Sequence, residues 1–478
     1  MVRYAACAAA AKQLGHSSSI AASINKAAPS SLEVSVHRHN KETKDWLWHG
    51  AKYYGLAIQT MATELTQATS VFNDLTPSDT GIPWPAPFAG SPAGSGAGAN
   101  TNEARLVAAC IMCQYEELSA SVVAWAGHLN GIHRLLRIHD FESSFASQGS
   151  VAAPSPTLQT PTSLQSLFWY FVQDDIEEAC EYCRSLDIIA LLSAIDISSR
   201  PTRTNPRNVA LWRSMGLAMS DNGQIALEQM MVDTANNSAE EDAVGLRAVL
   251  WLMCEVVTAI SLKRRSHFPT GESPAKLLER AQDRAAEWEA LSEALQRWSQ
   301  LLPSSFQPDV TRKSANQHQG NATPIFAEEV WYSNSTCAMA SVYYHTASIL
   351  LKIHEPSELL LRRCQQTSNA ADWLAASRLL QRDVAQHAKG IVSIALALPE
   401  DALRMHMVQP LYVAGRCLAT EQDQQMLVEL LESIEKDLGL ATGYRVKSLI
   451  AEWNSSVLRR QRCELDQELA DLSSADER

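Results

Sequence analysis

Hydrophobic positions recur at helical spacing along most of the chain, and the clearest run lies between Glu103 and His139. Leu106, Cys110, Cys113 and Glu117 fall three or four apart, with Val107, Ile111 and Met112 widening the apolar face. After a break near Leu118–Ser121, a second stripe follows through Val122, Val123, Trp125, Leu129, Ile132, Leu135, Leu136 and Ile138. Asn130, His133, Arg134 and Arg137 mark its polar side. Two amphipathic helices joined by so short a link are expected to pack as a hairpin.

The same spacing predicts a helix over Glu42–Ser70, built on Trp46, Tyr53, Leu56, Ala57, Met61 and Leu65. Further helices are expected at Ser163 to about Leu186, Val209–Met219, Glu240–Leu262, Pro274–Leu301, Ala327–Ile353, Ala370–Leu398, Asp401–Ala419, Gln422–Leu438 and Thr442–Leu469. In Pro274–Leu301, Trp288, Leu291, Leu295 and Trp298 form the buried stripe, and Pro303 stops the helix. Pro-, Gly- and Ser-rich stretches at 77–102, 143–162 and 303–325 read as loops. No stretch alternates convincingly as a strand, and no solenoid period repeats. The expected fold class is all-α, a large multi-helix bundle or array with Pro-rich loops. One helical domain is expected over 42–470, after a flexible leader at 1–41 and before a short tail at 471–478.

Composition supports a folded chain. Of 478 residues, 46% are hydrophobic and 19% charged, with 12 Trp, which is a globular balance. The formal charge is −13 and the pI about 5.5, so the chain as a whole offers no basic surface of the kind that neutralises phosphates. Ten cysteines, mostly on apolar helical faces, read as reduced core thiols in an intracellular compartment. The best apolar run, Ile391–Leu398, is far shorter than the roughly 18–20 residues that span a bilayer, so no membrane segment is expected. Residues 1–32 carry Arg3, Lys12 and Lys26 and no acid before Glu33, the composition of a mitochondrial transit segment. Without an amphipathic Arg periodicity, a plain leader is the simpler expectation.

Three constellations invite chemistry. Cys110-x-x-Cys113 and Cys180-x-x-Cys183 have the arithmetic of a zinc site, but 66 residues separate the pairs and both lie mid-helix. Trp169, Val172, Ile176, Cys180 and Cys183 share one stripe, which makes packing the simpler use of the thiols. Asp174-Asp175-Ile176-Glu177-Glu178 resembles the first magnesium-binding motif of class I terpene synthases, whose carboxylates hold a metal-bound diphosphate. The companion motif is missing downstream: near Asp221-Asn222, Ile225 stands in place of the Ser and Gln229 in place of the Glu. Asp174 and Glu178 lie opposite the apolar stripe and are expected on a solvated face. His345, His387 and His406 are isolated in sequence, and His128, His133 and His139 miss the spacing that puts two imidazoles on one helical face. Lys263-Arg264-Arg265 and Arg459-Arg460-Gln461-Arg462 are short basic clusters, readable as import signals or as helix-end charges. No nucleophile elbow or phosphate loop is present. No catalytic, cofactor-binding or metal-binding residue is assigned.

A family resemblance accumulates in chain order. Ala124-Trp125-Ala126-Gly127-His128-Leu129-Asn130-Gly131-Ile132-His133-Arg134-Leu135-Leu136 resembles the Trp-x-x-His-Leu-x-Gly-x-x-x-Leu-Leu stretch of the fungal-specific transcription factor domain, the regulatory domain of fungal zinc-cluster activators. Phe168-Trp169-Tyr170-Phe171-Val172-Gln173-Asp174-Asp175 is similar to the aromatic helix that follows it. Leu398-Pro399 with Met405–Cys417, and then Leu427–Leu440, Val446 and Trp453, resemble the closing helices. The resemblance spans roughly Glu103 to Trp453, about three quarters of the chain. It implies an all-helical regulatory module of a nuclear transcription regulator, working as a homodimer or through protein partners. The many Trp and Cys on amphipathic faces add the expectation of an apolar interface or pocket, open to an unidentified small-molecule effector, whose occupancy changes partner contacts. The family's zinc cluster, six cysteines in an Arg/Lys-rich segment, has no counterpart here, since the first hundred residues contain only Cys7. Zinc and direct DNA contact are therefore expected only from an upstream segment or a partner. A magnesium-dependent enzyme and a non-catalytic helical adaptor are the alternatives.

Overall fold

The computed structural model describes residues 1–25, 33–73, 97–119, 122–138, 163–182, 209–234, 238–265, 274–313, 328–356, 359, 370–397 and 400–455. These contain fifteen α-helices and almost no strand, an all-α fold. They divide into two compact units, the first comprising 1–269 with 436–440 and the second 270–435 with 441–478.

The first unit is built from α1 (Val2–Asn25), α2 (Glu33–Asn73), α3 (Ala97–Glu117), α4 (Val122–Ile138), α5 (Ser163–Tyr182), α6 (Val209–Ser214), α7 (Leu227–Thr234) and α8 (Ser238–Arg265). Within the stretch expected as a leader, Val2–Asn25 is a helix lying against α2 and α3. Its docking face is a ridge of Ala5, Ala8 and Ala11, each at most 3% exposed. Alanines at i, i+3, i+6 let two backbones approach closely without large apolar side chains, so hydrophobic periodicity alone does not reveal the contact. Helices α3 and α4 do pack on each other as the hairpin the pattern predicts. Leu106, Cys110, Cys113, Trp125, Leu129 and Ile132 are all buried in it or beneath it.

Helix α5 rests on α3, α4 and α8. Trp169 of α5 donates its indole N–H to the carbonyl of Met215 at 3.1 Å, and its ring lies 5.8 Å from that of Trp212 on α6. Helix α6 stops at Ser214, short of the expected Met219, because Gly216 takes φ +89°, a left-handed conformation that glycine adopts without steric cost. Helix α8 corrects the expectation that no apolar run approaches a membrane span. Ser238–Ser261 is long and apolar enough by length and composition, yet two thirds of it is buried within the protein. A helix walled in by α5 and α7 needs an apolar circumference for the same reason a membrane helix does.

The second unit begins with α9 (Pro274–Leu301), whose bounds match the sequence prediction. Proline at the first helical position lacks only an N–H that would be unsatisfied anyway. Trp288, Leu291, Leu295 and Trp298 are buried, and Trp288 donates to the carbonyl of Leu351 at 3.2 Å. Next comes an element absent from the expected all-helical run, an antiparallel pair of β1 (Val310–Lys313) and β2 (Glu328–Trp331). Val310 faces Trp331 and Lys313 faces Glu328. Four-residue strands rich in Glu, Arg and Lys carry too little alternation to be read from sequence.

Helix α10 (Ser335–Ile353) starts where Asn334 accepts a hydrogen bond from the backbone N–H of Thr336 at 2.9 Å. It packs on α11 (Ala370–Ala397). Lys352 pairs with Asp383 while His345 meets His387 and Gly390, so the two helices run antiparallel. The single helix expected over Asp401–Ala419 is two, α12 (Asp401–Met405) and α13 (Val408–Gly415). Pro410 cannot donate to the carbonyl of His406, and its ring crowds that turn. Helix α14 (Glu421–Leu438) has a reciprocal cap: the Thr420 hydroxyl accepts from the Asp423 N–H at 3.2 Å and hydrogen-bonds the Asp423 carboxylate. It ends at Gly439, φ +69°. Helix α15, residues 443–455, starts against the Glu435 carboxylate, which accepts from the N–H groups of Thr442 at 3.1 Å and Gly443 at 2.8 Å.

Candidate functional site

A set of interacting titratable side chains lies between α1, α2, α3 and α4, in the first unit. Helix α3 ends with no basic residue in its last turn, so a cation brought from elsewhere is favourable at its terminal carbonyls. Lys12 of α1 supplies it. Its ammonium donates to the Tyr115 carbonyl at 2.7 Å and to the Ser119 hydroxyl at 2.8 Å, and lies 3.5 Å from the centre of the Tyr115 ring. Burial pulls the Lys12 pKa down to about 8, and the nearby Glu116 carboxylate opposes that shift. Tyr54 of α2 stacks on Tyr115, ring centres 4.3 Å apart, and its hydroxyl hydrogen-bonds His128 Nε2 of α4 at 2.6 Å. Burial and then the Glu116 carboxylate hold the Tyr54 hydroxyl far above its ordinary range, while burial lowers His128 against the pull of Glu116. At neutral pH the cluster therefore contains a neutral phenol and a neutral imidazole. The Tyr54–His128 bond links α2 to α4, the Tyr54–Tyr115 stack and the Glu116 carboxylate hold α2 to the end of α3, and Lys12 ties α1 to the same end.

His128 is the motif histidine of the central hairpin, and its partner is now clear. Lys12, Tyr54, Tyr115, Glu116 and Ser119 carried no signal in the sequence beyond the uncapped end of α3. Lys12 and Tyr115 are 103 positions apart.

The acidic stretch of α5 departs from expectation. Asp174, Asp175, Glu177 and Glu178 are buried, each at most 4% exposed, and do not line a solvated face. The helical wheel allots one wet side to α5, but contact with α3, α4 and α8 covers nearly all of it. Asp174 lies near the α3 thiols: burial first and then its charge push the Cys110 pKa up to about 12. Tyr170 is raised in the same way, by burial and then by Asp174 and Glu117. A thiol held protonated is a poor metal ligand and a poor nucleophile. Cys110, Cys113 and Cys180 are buried, and Cys183 lies outside the described residues. Among the described residues no group of three or more His, Cys, Asp or Glu side chains could hold a metal ion.

His345 and His387, isolated in sequence, are brought together in the second unit, Nδ1 to Nδ1 at 3.0 Å. Burial and the facing imidazole lower His345 to about 3; burial and then Lys352 lower His387 to about 4, against the pull of Asp383. Gly390 makes the approach possible, since a Cβ there would stand 2.5 Å from His345 Nε2. Lys263–Arg265 close α8, and Arg459–Arg462 lie outside the described residues.

Residues 30–453 match the model of the fungal specific transcription factor domain. The transcription activator AMTR1 of Alternaria alternata is 27% identical over 368 residues, an alignment covering 74% of this chain and 44% of the relative. The chain thus spans less than half the length of that curated relative. No solved structure matches the chain. The magnesium–diphosphate alternative finds no support in these comparisons.

Proposed function

Because this chain belongs to the fungal specific transcription factor domain family, we propose that it is the helical regulatory part of a transcription regulator, acting in the nucleus through protein partners and without catalysis. The family match over 30–453 is the observation that carries this reading. The likeness to a named transcription activator supports it. A chain of formal charge −13 is poorly suited to neutralising phosphates, so contact with DNA is assigned to another segment or to a partner. The family motifs fall on helices with buried contacts in this chain. His128 meets Tyr54, Trp169 holds Met215 and Trp453 holds Gly415. Such residues set how helices pack, which suits a domain whose output is a change in packing or in partner contact.

Tethering tests the proposal. The chain is fused to a heterologous DNA-binding domain and measured at a reporter carrying its operator. Transcription should change several-fold relative to the DNA-binding domain alone. Reporter output equal to that of the bare DNA-binding domain, with the fusion expressed and nuclear, contradicts the proposal.

A further inference from the structure

Helix α13 packs against α11 and α10 in the second unit, and all eight of its residues are buried. Its first turn carries Gln409, 3% exposed, whose carboxamide oxygen and nitrogen both lack a hydrogen-bond partner within the protein. Ser393 on α11 is 2% exposed and its hydroxyl is likewise unpartnered. Other buried hydroxyls on helices of this unit donate to the carbonyl four residues back, Ser341 to Cys337 at 2.9 Å and Thr346 to Val342 at 2.8 Å. Ser393 does not.

Three buried polar atoms on two packed helices thus have no hydrogen-bond partner within the protein. Native interiors pair nearly all such atoms, and each exception calls for a cause. Leaving a buried amide unpaired is costly, so a partner from outside the chain that completes its bonds gains correspondingly. The chemistry of that partner follows from Gln409. Its carboxamide presents an acceptor and a donor side by side, and the matching edge presents a donor and an acceptor in the same spacing. A lactam, an imide or another cis-amide has that edge. A carboxylate, with two acceptors, sets one oxygen against the Gln409 carbonyl, and an ammonium leaves that carbonyl as its only counterpart. The edge that meets Gln409 is uncharged.

We propose that the core of the second unit formed by α10, α11 and α13 binds a small organic molecule with an uncharged cis-amide edge, paired reciprocally by the Gln409 carboxamide, with Ser393 as the second contact. This site deepens the regulatory reading by giving it an effector class, but it rests on buried polar atoms and stands or falls apart from any role at promoters.

The test uses thermal melts of the full chain with 2-pyrrolidone, and with N-methyl-2-pyrrolidone as the matched compound that cannot donate. At millimolar concentration 2-pyrrolidone should raise the melting temperature by about 2–4 °C, and the N-methyl compound should not. Gln409→Met should abolish the shift and Ser393→Ala should reduce it. Equal responses to the two lactams, or none, overturn the proposal. So does a Gln409→Met chain that melts above wild type throughout, which makes the amide a dry cost. Lower melting of both variants with no lactam effect also overturns it and assigns the position to ordered water. If Gln409→Met fails to fold, the lactam contrast in wild type and in Ser393→Ala decides alone.

Discussion

Trp453 donates its indole N–H to the carbonyl of Gly415 at 3.0 Å, joining two residues of the closing family motif across the second unit. Gly415 ends α13 against α14 and α15: a Cβ on it would stand 2.9 Å from both Leu427 Cδ2 and Leu449 Cδ1. Glycine here leaves room for the ends of both leucines against the helix backbone. Gly415→Ala should destabilise by ~1–3 kcal/mol, since the leucine ends must shift in a packed core. Trp453→Phe should cost ~1 kcal/mol or somewhat more, through the lost hydrogen bond and part of the ring area. Urea unfolding of the second unit's transition measures both.

The Lys12 clasp should control the docking of α1. Lys12→Met keeps the aliphatic stem and removes the bonds to Tyr115 and Ser119, a loss of ~1.5–3 kcal/mol for charge-assisted bonds. Amide hydrogen exchange should quicken in α1 by tenfold or more while α8 keeps its protection. Unchanged exchange in α1 would show that the alanine ridge holds it unaided.

Acid should loosen the His345–His387 contact. Both imidazoles have pKa values below their ordinary 6.5, about 3 and about 4, so the folded state binds fewer protons than the unfolded chain over that interval. Their contribution to stability is complete above pH 6.5 and is lost as pH falls from there toward 3. The melting temperature should drop between pH 7 and pH 5, and more gently in a His345→Leu/His387→Leu double variant. Parallel curves for the two proteins would remove the pair as the cause.

Thiol labelling should follow burial. Of the described cysteines only Cys7 is exposed; Cys110, Cys113, Cys180, Cys254 and Cys337 are buried, and Cys417, partly exposed, has its thiol pushed up to about 12 by burial. Brief iodoacetamide treatment at pH 8, read by peptide mass spectrometry, should modify Cys7 ahead of these six by tenfold or more. Rapid labelling of Cys110 would contradict the packing of α3 against α5.

Where local chemistry decides structure, the sequence was readable. Pro274 and Pro303 bracket α9, and the spacing of Trp288, Leu291, Leu295 and Trp298 names its buried side. The central hairpin was legible for the same reason. What escaped was set by contacts distant in sequence. The alanine face of α1 becomes a docking ridge only through the helices it touches. The carboxylates of α5 look like a wet stripe until three neighbours close around them. Lys12 with Tyr115, and His345 with His387, are separated by 103 and 42 positions, and no spacing rule spans such gaps. Gln409 reads as an ordinary polar residue, and only its burial makes it a candidate contact.

The most direct test of the central claim is chromatin immunoprecipitation of the tagged chain expressed from its own locus, paired with transcript profiling after its deletion. Discrete enrichment at promoters whose transcripts change on deletion is the expected result. A chain excluded from the nucleus, with no promoter enrichment and an unaltered transcript profile, would contradict a role in transcription.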